Sequence, residues 1–437
     1  MRNDARLLAY SILYQFNNDI KLDLVLNKVF MDHEPDLRSR SRAKVLVNDV
    51  MRLRGRLDLM IKHVSGRKIK QIQRPIRLIL RIGFYEIMMD ESVPDYAAVD
   101  SAVEMANDLS NSRSAGFTNA VLRNLTRKKE NDQNWLAGLS TDPEWNSIPP
   151  WLQDRWKKNL GEAGCIKMAE SVNKNPPNFI RFQPDIRSAE EVMNILWEDG
   201  IESEIFSGSF LRLSSGLGKL LQTDIFNNGE ISIQNPASAA IVDCLDVRPG
   251  DTVLDVCAAP GTKSLYLSYM VGDSGRVFAS DLIKERVEKG KKDIERHGRS
   301  NIEWMVKDAS KDTFPKTDLM LIDAPCTGTG VLGRKPDIRW RRKVSDIKEM
   351  SEKQYSILNH CAKFINSNGT LVYATCSIEP EENWNVVEQF LKLNPQFFVE
   401  KIHSKIPESW IDEKGALQTL PYVHGVDGMF ATRIKRS

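Results

Sequence analysis

No stretch of this sequence approaches the ~18 consecutive apolar residues of a membrane-spanning helix. An integral helical membrane protein is thereby excluded. The start, Met1-Arg-Asn-Asp-Ala5, lacks the apolar run and small-residue cleavage site of a secretory signal, so a cytoplasmic location is expected. Cysteine is scarce, at six in 437 residues. No two of Cys165, Cys244, Cys257, Cys326, Cys361 and Cys376 form a C-x-x-C pair or sit near histidine at zinc-like spacing. No metal is therefore expected, and in a reducing compartment these are free thiols. Cys165, Cys244 and Cys361 read as small buried apolar residues. Internal repeats and low-complexity segments are absent too, which excludes solenoids and disordered arrays.

What is present fits a multidomain soluble protein. The length exceeds the roughly 100–200 residues of a usual domain, so two or three cores are expected. The apolar and charged fractions, 41% and 27%, are ordinary for globular chains. Net charge is only +2, but it is unevenly spread. Between Leu37 and Arg81 a dense series running from Arg38, Arg40 and Arg42 to Arg74, Arg77 and Arg81 is opposed only by Asp49 and Asp58. A solvated helix face would mix both signs, so this excess points to a polyanion, and RNA is the economical candidate.

Periodicity divides the chain. Residues 1–135 repeat at helical spacing, as in Ile76-Leu78-Ile79-Leu80-Ile82, and read as an all-α domain. A polar stretch beginning at Lys128 and ending in Ser147-Ile-Pro-Pro150 reads as a linker, with a boundary near 135–147. Residues 147–223 suggest a small α+β module: a helix over 151–160, a strand over 178–182 and a helix over 188–199. From 224 to 437, β-rich runs at 252–256, 276–280, 302–306, 319–322 and 370–374 alternate with helical stretches, which predicts a doubly wound, Rossmann-like α/β sheet.

The first of these strands leads into Asp255-Val-Cys-Ala-Ala-Pro-Gly-Thr-Lys263 and then a helix, where open α/β sheets bind ligands. The loop lacks both the G-x-G-x-x-G of dinucleotide sites and the G-x-x-x-x-G-K-[ST] of nucleoside triphosphatases. Asp281, about 20 residues beyond Gly261, is placed to hold ribose hydroxyls. Asp308 and Asp323 are expected to end the third and fourth strands. One strand-end aspartate is as easily a helix cap as a ligand contact, but Asp255, Asp281, Asp308 and Asp323 at successive ends exceed what capping needs. S-adenosylmethionine, with a ribose, an adenine and a sulfonium, suits this set. Candidate cofactor contacts are Cys257, Ala258, Ala259, Pro260, Gly261, Thr262 and Lys263 with Asp281, Asp308 and Asp323.

Asp323-Ala-Pro-Cys326 and Tyr373-Ala-Thr-Cys376 place two cysteines just past the carboxyl ends of two strands, facing the same crevice. Cytosine C5 is too poor a nucleophile to take a methyl group directly, so a soft thiolate must first add to C6. Charge then builds on N3, where the Asp323 carboxyl is the expected contact. After transfer the C5 proton must leave before the thiolate is expelled, and a second thiol can assist that step.

These segments resemble the RNA cytosine-C5 methyltransferases of the NOL/NSUN (Sun) family over about residues 230–437. The resemblance implies a class I methyltransferase domain with Cys376 as nucleophile and Cys326 as the cysteine of product release. DNA cytosine methyltransferases use the P-C cysteine instead, so Thr375-Cys376 favours RNA. Arg334-Lys-Pro-Asp-Ile-Arg-Trp340, Glu379-Pro-Glu-Glu-Asn383 and His424-Gly-Val-Asp-Gly-Met-Phe430 belong to the same pattern. Gln234-Asn-Pro-Ala-Ser238 departs from it, with Asn235 where the family usually has Asp. The N-terminal region resembles the NusB antitermination-factor fold, carried by 95–104 and 116–123. A NusB-like domain ahead of this catalytic domain is the layout of bacterial enzymes acting on the small-subunit RNA, which implies 16S rRNA as the partner and leaves a protein partner of the NusB-like surface open. A tRNA cytosine-C5 methyltransferase and a non-catalytic NusB-like RNA-binding factor are the alternatives.

Overall fold

In the computed structural model of the chain, the described residues are 4–17, 19–132, 134–402 and 405–437. They form two compact units, Met1–Asn175 with Leu332–Arg342, and Pro176–Val331 with Lys343–Ser437. Among the described residues no helix is long and apolar enough to cross a membrane.

The first unit is helical: Ala5–Gln15, Leu22–His33, Leu37–Arg52, Arg54–Ser65, Arg74–Met89, Asp95–Leu109 and Ser112–Asn131. Local chemistry sets the starts. Asp36 accepts the Ser39 N–H at 2.7 Å and Asn111 accepts that of Ser114 at 2.9 Å. Pro75 occupies the first turn of Arg74–Met89, where its missing N–H costs nothing. That helix buries Ile76, Ile79, Leu80 and Phe84 in the core shared with Leu8, Ile12 and Leu46.

The expected linker is part of this unit. It carries the turns Trp135–Leu139 and Pro143–Asn146. Trp135 is buried in the helical core, and the Ser147 hydroxyl donates to the Arg52 carbonyl at 2.8 Å while accepting the Gly55 N–H at 2.9 Å. The helix expected over 151–160 runs as Pro150–Asn173 with a break at Gly161, where φ is 73°. The division between the two compact units falls at Asn175/Pro176, with the segment 135–147 inside the first.

Leu332–Arg342, read from sequence as part of the catalytic half, also belongs to the first unit. Its Arg339 is fully buried and donates to the carbonyls of Arg52 (2.9 Å), Ser147 (3.0 Å), Val172 (2.9 Å) and Leu332 (3.2 Å) and to Asn173 Oδ1 (2.6 Å). Burial pulls its pKa down to about 9, so the cation persists at neutral pH, solvated by carbonyl dipoles.

The second unit holds two sheets. Strands β1 (Asn178–Phe182), β2 (Ser203–Ser207), β3 (Phe210–Leu213) and β4 (Ile231–Ile233) form an antiparallel sheet in the order β2-β3-β1-β4. The buried Arg181 of β1 donates to Gln234 at 2.7 Å and stacks over Tyr266 at 4.3 Å. The larger sheet comprises β5 (Thr252–Val256), β6 (Arg276–Asp281), β7 (Ile302–Val306), β8 (Thr317–Asp323), β9 (Ile365–Thr375), β10 (Phe397–Val399), β11 (Leu417–Gln418) and β12 (Phe430–Arg436). Its order is β10-β12-β9-β8-β5-β6-β7, with β11 beside β12. Strands β9, β8, β5, β6 and β7 run parallel, and β12 is antiparallel to β9. Val253, Leu254, Leu321 and Ile322 are wholly buried, as parallel strands covered on both faces require. The strand order reverses between β5 and β8, which opens a crevice beyond their carboxyl ends.

Candidate active site

Strand β5 delivers the Cys257–Lys263 loop to this crevice. Its backbone turns with φ of 65° at Cys257 and 108° at Gly261, the second being glycine territory. A Cβ on Gly261 would approach the Trp304 ring to 3.0 Å. The loop is anchored from the end of β6. Asp281 accepts the N–H groups of Ala259 (3.2 Å) and Ile283 (3.1 Å) and pairs with Arg286 at 3.0 Å. Arg286 also donates to the Ala259 carbonyl.

The four aspartates are not equivalent. Asp281 and Asp323 end their strands as expected, whereas Asp255 lies inside β5 and Asp308 lies two residues past β7. Asp255 is fully buried; Oδ2 accepts from Ser264 at 2.6 Å, and Oδ1 has no hydrogen-bond partner. Burial, only partly opposed by Ser264 and reinforced by nearby Asp323, pushes its pKa up to about 7. Asp308 folds onto its own loop, accepting the Ser310 hydroxyl (2.6 Å) and N–H (2.9 Å), and these bonds hold its carboxyl below the usual range.

Strands β8 and β9 are adjacent and parallel, with Asp323 opposite Ala374. Their terminal loops therefore emerge side by side, and the half-buried sulfurs of Cys326 and Cys376 end 3.1 Å apart. The hydrogen bond to Cys376, followed by burial, pushes the Cys326 thiol well above its ordinary pKa, so Cys326 stays protonated at neutral pH. Beside the pair, Lys263 Nζ meets Asp323 Oδ2 at 2.7 Å. Burial alone would lower the Lys263 pKa, but Asp323 outweighs it and the net shift is upward, which fixes an ammonium here.

Reading the sequence assigned no role to the residues that hold the two cysteine loops together. Glu382, fully buried in the turn Pro380–Glu382, accepts the Thr327 N–H (2.8 Å), the Thr327 hydroxyl, the Ser377 hydroxyl (2.5 Å) and Gln354 Nε2 (2.9 Å). Thr327 follows Cys326 and Ser377 follows Cys376, so one carboxylate ties both loops. Asn383 accepts the Thr375 hydroxyl at 2.7 Å and donates to the Ser377 carbonyl at 2.9 Å. The Gly330 N–H donates to the Cys376 carbonyl at 3.0 Å, and the Gly428 N–H to the Gly330 carbonyl at 2.9 Å. A Cβ on Gly330 would lie 2.0 Å from the Gly428 oxygen, which explains the glycines in both segments. The available signal was an acidic cluster, Glu381-Glu382-Asn383, directly after Thr375-Cys376. Asn235 Oδ1 accepts the N–H groups of Ala237 (3.0 Å) and Asp427 (3.4 Å), leaving Nδ2 without a partner.

Comparison with known proteins agrees with this architecture. Residues 242–435 match the family model described as 16S rRNA methyltransferase RsmB/F, and residues 3–127 match the NusB family. A Bacillus subtilis protein described as probable ribosomal RNA small subunit methyltransferase B is 31% identical over 432 residues, covering 96% of this chain and 95% of the relative. The chain belongs to the ribosomal RNA small subunit methyltransferase B family. A Synechocystis member described in the same words is 29% identical across 99% of each chain. The crystal structure of PH0851 superposes with a TM-score of 0.78 at 27% identity, covering 99% of this chain and 98% of its own. In family terms, the paired cysteine loops and the β5 loop both lie within the stretch that matches RsmB/F.

Proposed function

We propose that this chain methylates carbon 5 of a cytosine in 16S rRNA, with Cys376 as the covalent nucleophile and Cys326 as the thiol that assists release. The observation that carries this reading is the 3.1 Å approach of two half-buried sulfurs beside the Lys263–Asp323 ion pair, at the crevice where the sheet order reverses. Family membership supports rRNA as the substrate.

S-adenosylmethionine, when bound, supplies an electrophilic methyl group. The residues present suit it. The Asp281 carboxylate at the end of β6 stands where ribose hydroxyls are held in this fold, and the β5 loop carries no pyrophosphate cradle. Addition of the Cys376 thiolate to C6 raises electron density at C5 and N3. Asp323 hydrogen-bonds N3, and the adjacent Lys263 ammonium is a ready proton source for it. Once C5 carries both hydrogen and methyl, water takes the C5 proton, the C–H electron pair restores the C5–C6 double bond, and the C6–S pair returns to the Cys376 sulfur. Cys326, already bonded to that sulfur and held protonated, donates to the departing thiolate. The target base must leave its stack to reach these loops, so single-stranded substrate is favoured. The basic helical unit and the small sheet module around β1–β4 supply the RNA contacts.

The test is incubation with unmodified 16S rRNA and, separately, tRNA, followed by nucleoside mass spectrometry. 5-Methylcytidine formed in 16S rRNA alone is expected. Methylation of tRNA only, or at another atom, would refute the assignment.

A further inference from the structure

The first unit contains a partly open cavity of about 330 Å³ whose lining is unusual in charge. Its floor is apolar, with Leu13, Phe16, Met51 and Leu78. Its charged lining is wholly cationic: Arg54, Arg74, Arg77 and Arg81. Arg81 is neutralised by Asp58 through two bonds of 2.7 Å. Arg74 donates to the carbonyls of Tyr14 (2.7 Å) and Phe16 (3.1 Å). Neither of the remaining two is hydrogen-bonded or ion-paired to a carboxylate, although Asp58, whose bonds go to Arg81, is near enough to attract both. Arg54 makes no hydrogen bond among the described residues and lies over the Trp340 ring at 4.8 Å. Arg77 reaches only the Ile69 carbonyl, at 3.4 Å, and its Nε is buried without a partner.

Guanidiniums gathered around a partly desolvated space repel one another. Burial, then Arg81, pulls Arg54 down to about 10, and the same two causes lower Arg77, with Asp58 opposing them only in part. Arginines serving only to pack would extend their charges to water or to carboxylates. Here two cations face a cavity at the small end of the roughly 300–1,000 Å³ range of ligand pockets, too small for a duplex but sufficient for a phosphate and part of its nucleoside. Planar guanidiniums match phosphate oxygens two at a time.

We propose that this cavity binds a backbone phosphate of single-stranded RNA, with Arg54 and Arg77 as its direct contacts and the apolar floor against the attached nucleoside. This rests on the RNA-methyltransferase reading above and assigns a discrete anchoring point, remote in sequence from the cysteines, to the basic region 37–81.

The test uses the full chain and a short labelled single-stranded RNA, with binding followed by fluorescence anisotropy across a salt series. Arg54→Gln and Arg77→Gln are each expected to lower affinity about five- to tenfold and to reduce the salt slope by about 0.7, the share of one single-strand phosphate. Arg113→Gln, exposed and outside both the cavity and the basic region 37–81, serves as the control. Inorganic phosphate is expected to raise the thermal midpoint of the wild type but not of Arg77→Gln, whose own midpoint equals or exceeds the wild type because a repelled cation is gone. Unchanged affinity and slope in both variants overturn the proposal. So does a phosphate effect that survives Arg77→Gln. Parallel methyl-transfer assays separate the two readings. RNA held through the cavity yet never methylated removes the proposed reaction and leaves the anchoring site standing. RNA methylated and bound equally well by Arg77→Gln removes the anchoring site alone.

Discussion

Replacing Glu382 by alanine should damage the protein far more than an acidic residue in a turn normally would. The side chain satisfies four donors, and they differ in their freedom to find new partners. The Thr327 and Ser377 hydroxyls lie 3.4 Å apart and can turn toward each other, and Ser377 also has Thr329 at 3.1 Å. Gln354 Nε2 retains the Pro325 carbonyl at 2.9 Å. The Thr327 N–H, fixed by the backbone, cannot turn as the hydroxyls can, and losing its bond to a carboxylate costs about 1–3 kcal/mol. Lost charge-assisted bonds and the void add to this, giving about 3–5 kcal/mol in all. That is a large share of the about 5–15 kcal/mol that holds a typical domain. Because the same carboxylate fixes the loops of both cysteines, turnover should fall as well, and a displacement of about 1 Å at a reacting group costs on the order of 100-fold. Urea unfolding followed by tryptophan fluorescence measures the first effect and methyl transfer at low temperature the second. KM for S-adenosylmethionine should hardly move, since Glu382 bonds to nothing in the Cys257–Lys263 loop. An alanine variant with wild-type stability and turnover would show that the loops are held by something else.

Other substitutions probe other parts of the account. Gly330→Ala forces a methyl group to 2.0 Å from the Gly428 carbonyl, so a loss of about 2–4 kcal/mol is expected in thermal unfolding; a shift within experimental error would contradict the close backbone packing. Asp255 has a folded pKa raised to about 7 from an ordinary 3.8, so the folded state keeps a proton that the unfolded chain releases. Its stabilising contribution is complete below about pH 4 and is lost as pH rises through about 7. The stability advantage of Asp255→Asn should therefore grow across that window and then level off, reaching at most about 4 kcal/mol, and a pH-independent difference would refute the burial argument. Lys263→Met removes the ammonium beside Asp323, and single-turnover methyl transfer should slow on the order of 100-fold with little change in RNA affinity. Arg339→Met strands carbonyls of four residues in the first unit and should cost about 3–5 kcal/mol, read as earlier melting of that unit.

The parallel strands were legible because strands covered on both faces are written as unbroken apolar runs. Thr252–Val256 was placed to the residue and Leu319–Ile322 fell inside the observed Thr317–Asp323; Ile302–Val306 was also placed to the residue, although as an edge strand it is only partly buried. Of the antiparallel strands only β1, Asn178–Phe182, was read from sequence. In β12, Thr432, Arg433 and Lys435 interrupt the apolar pattern, and only the structure shows Arg433 inside, bonded to Glu400 at 2.5 Å and to the Cys244 carbonyl at 2.8 Å. Polar composition suggested a linker before 147, but the single residues Trp135 and Ser147 decide that segment through contacts distant in sequence. Arg334–Trp340 was legible as part of the family pattern, but nothing local reveals that the Arg339 guanidinium is enclosed by carbonyls. At the site, the cysteines were legible because their strands were. Glu382 was not, because an acid that is buried looks the same in sequence as Glu381 beside it.

The most direct test of the proposed chemistry is methyl transfer from labelled S-adenosylmethionine to unmodified 16S rRNA by the wild type, Cys376→Ala and Cys326→Ala, with a denaturing gel to reveal covalent protein–RNA adducts. Cys376→Ala is expected to be inactive and free of adduct, while Cys326→Ala accumulates adduct because the C6–S bond forms but does not break. If Cys326→Ala instead abolishes adduct formation and Cys376→Ala retains it, the nucleophile is the other cysteine and the mechanism argued from this pair is wrong.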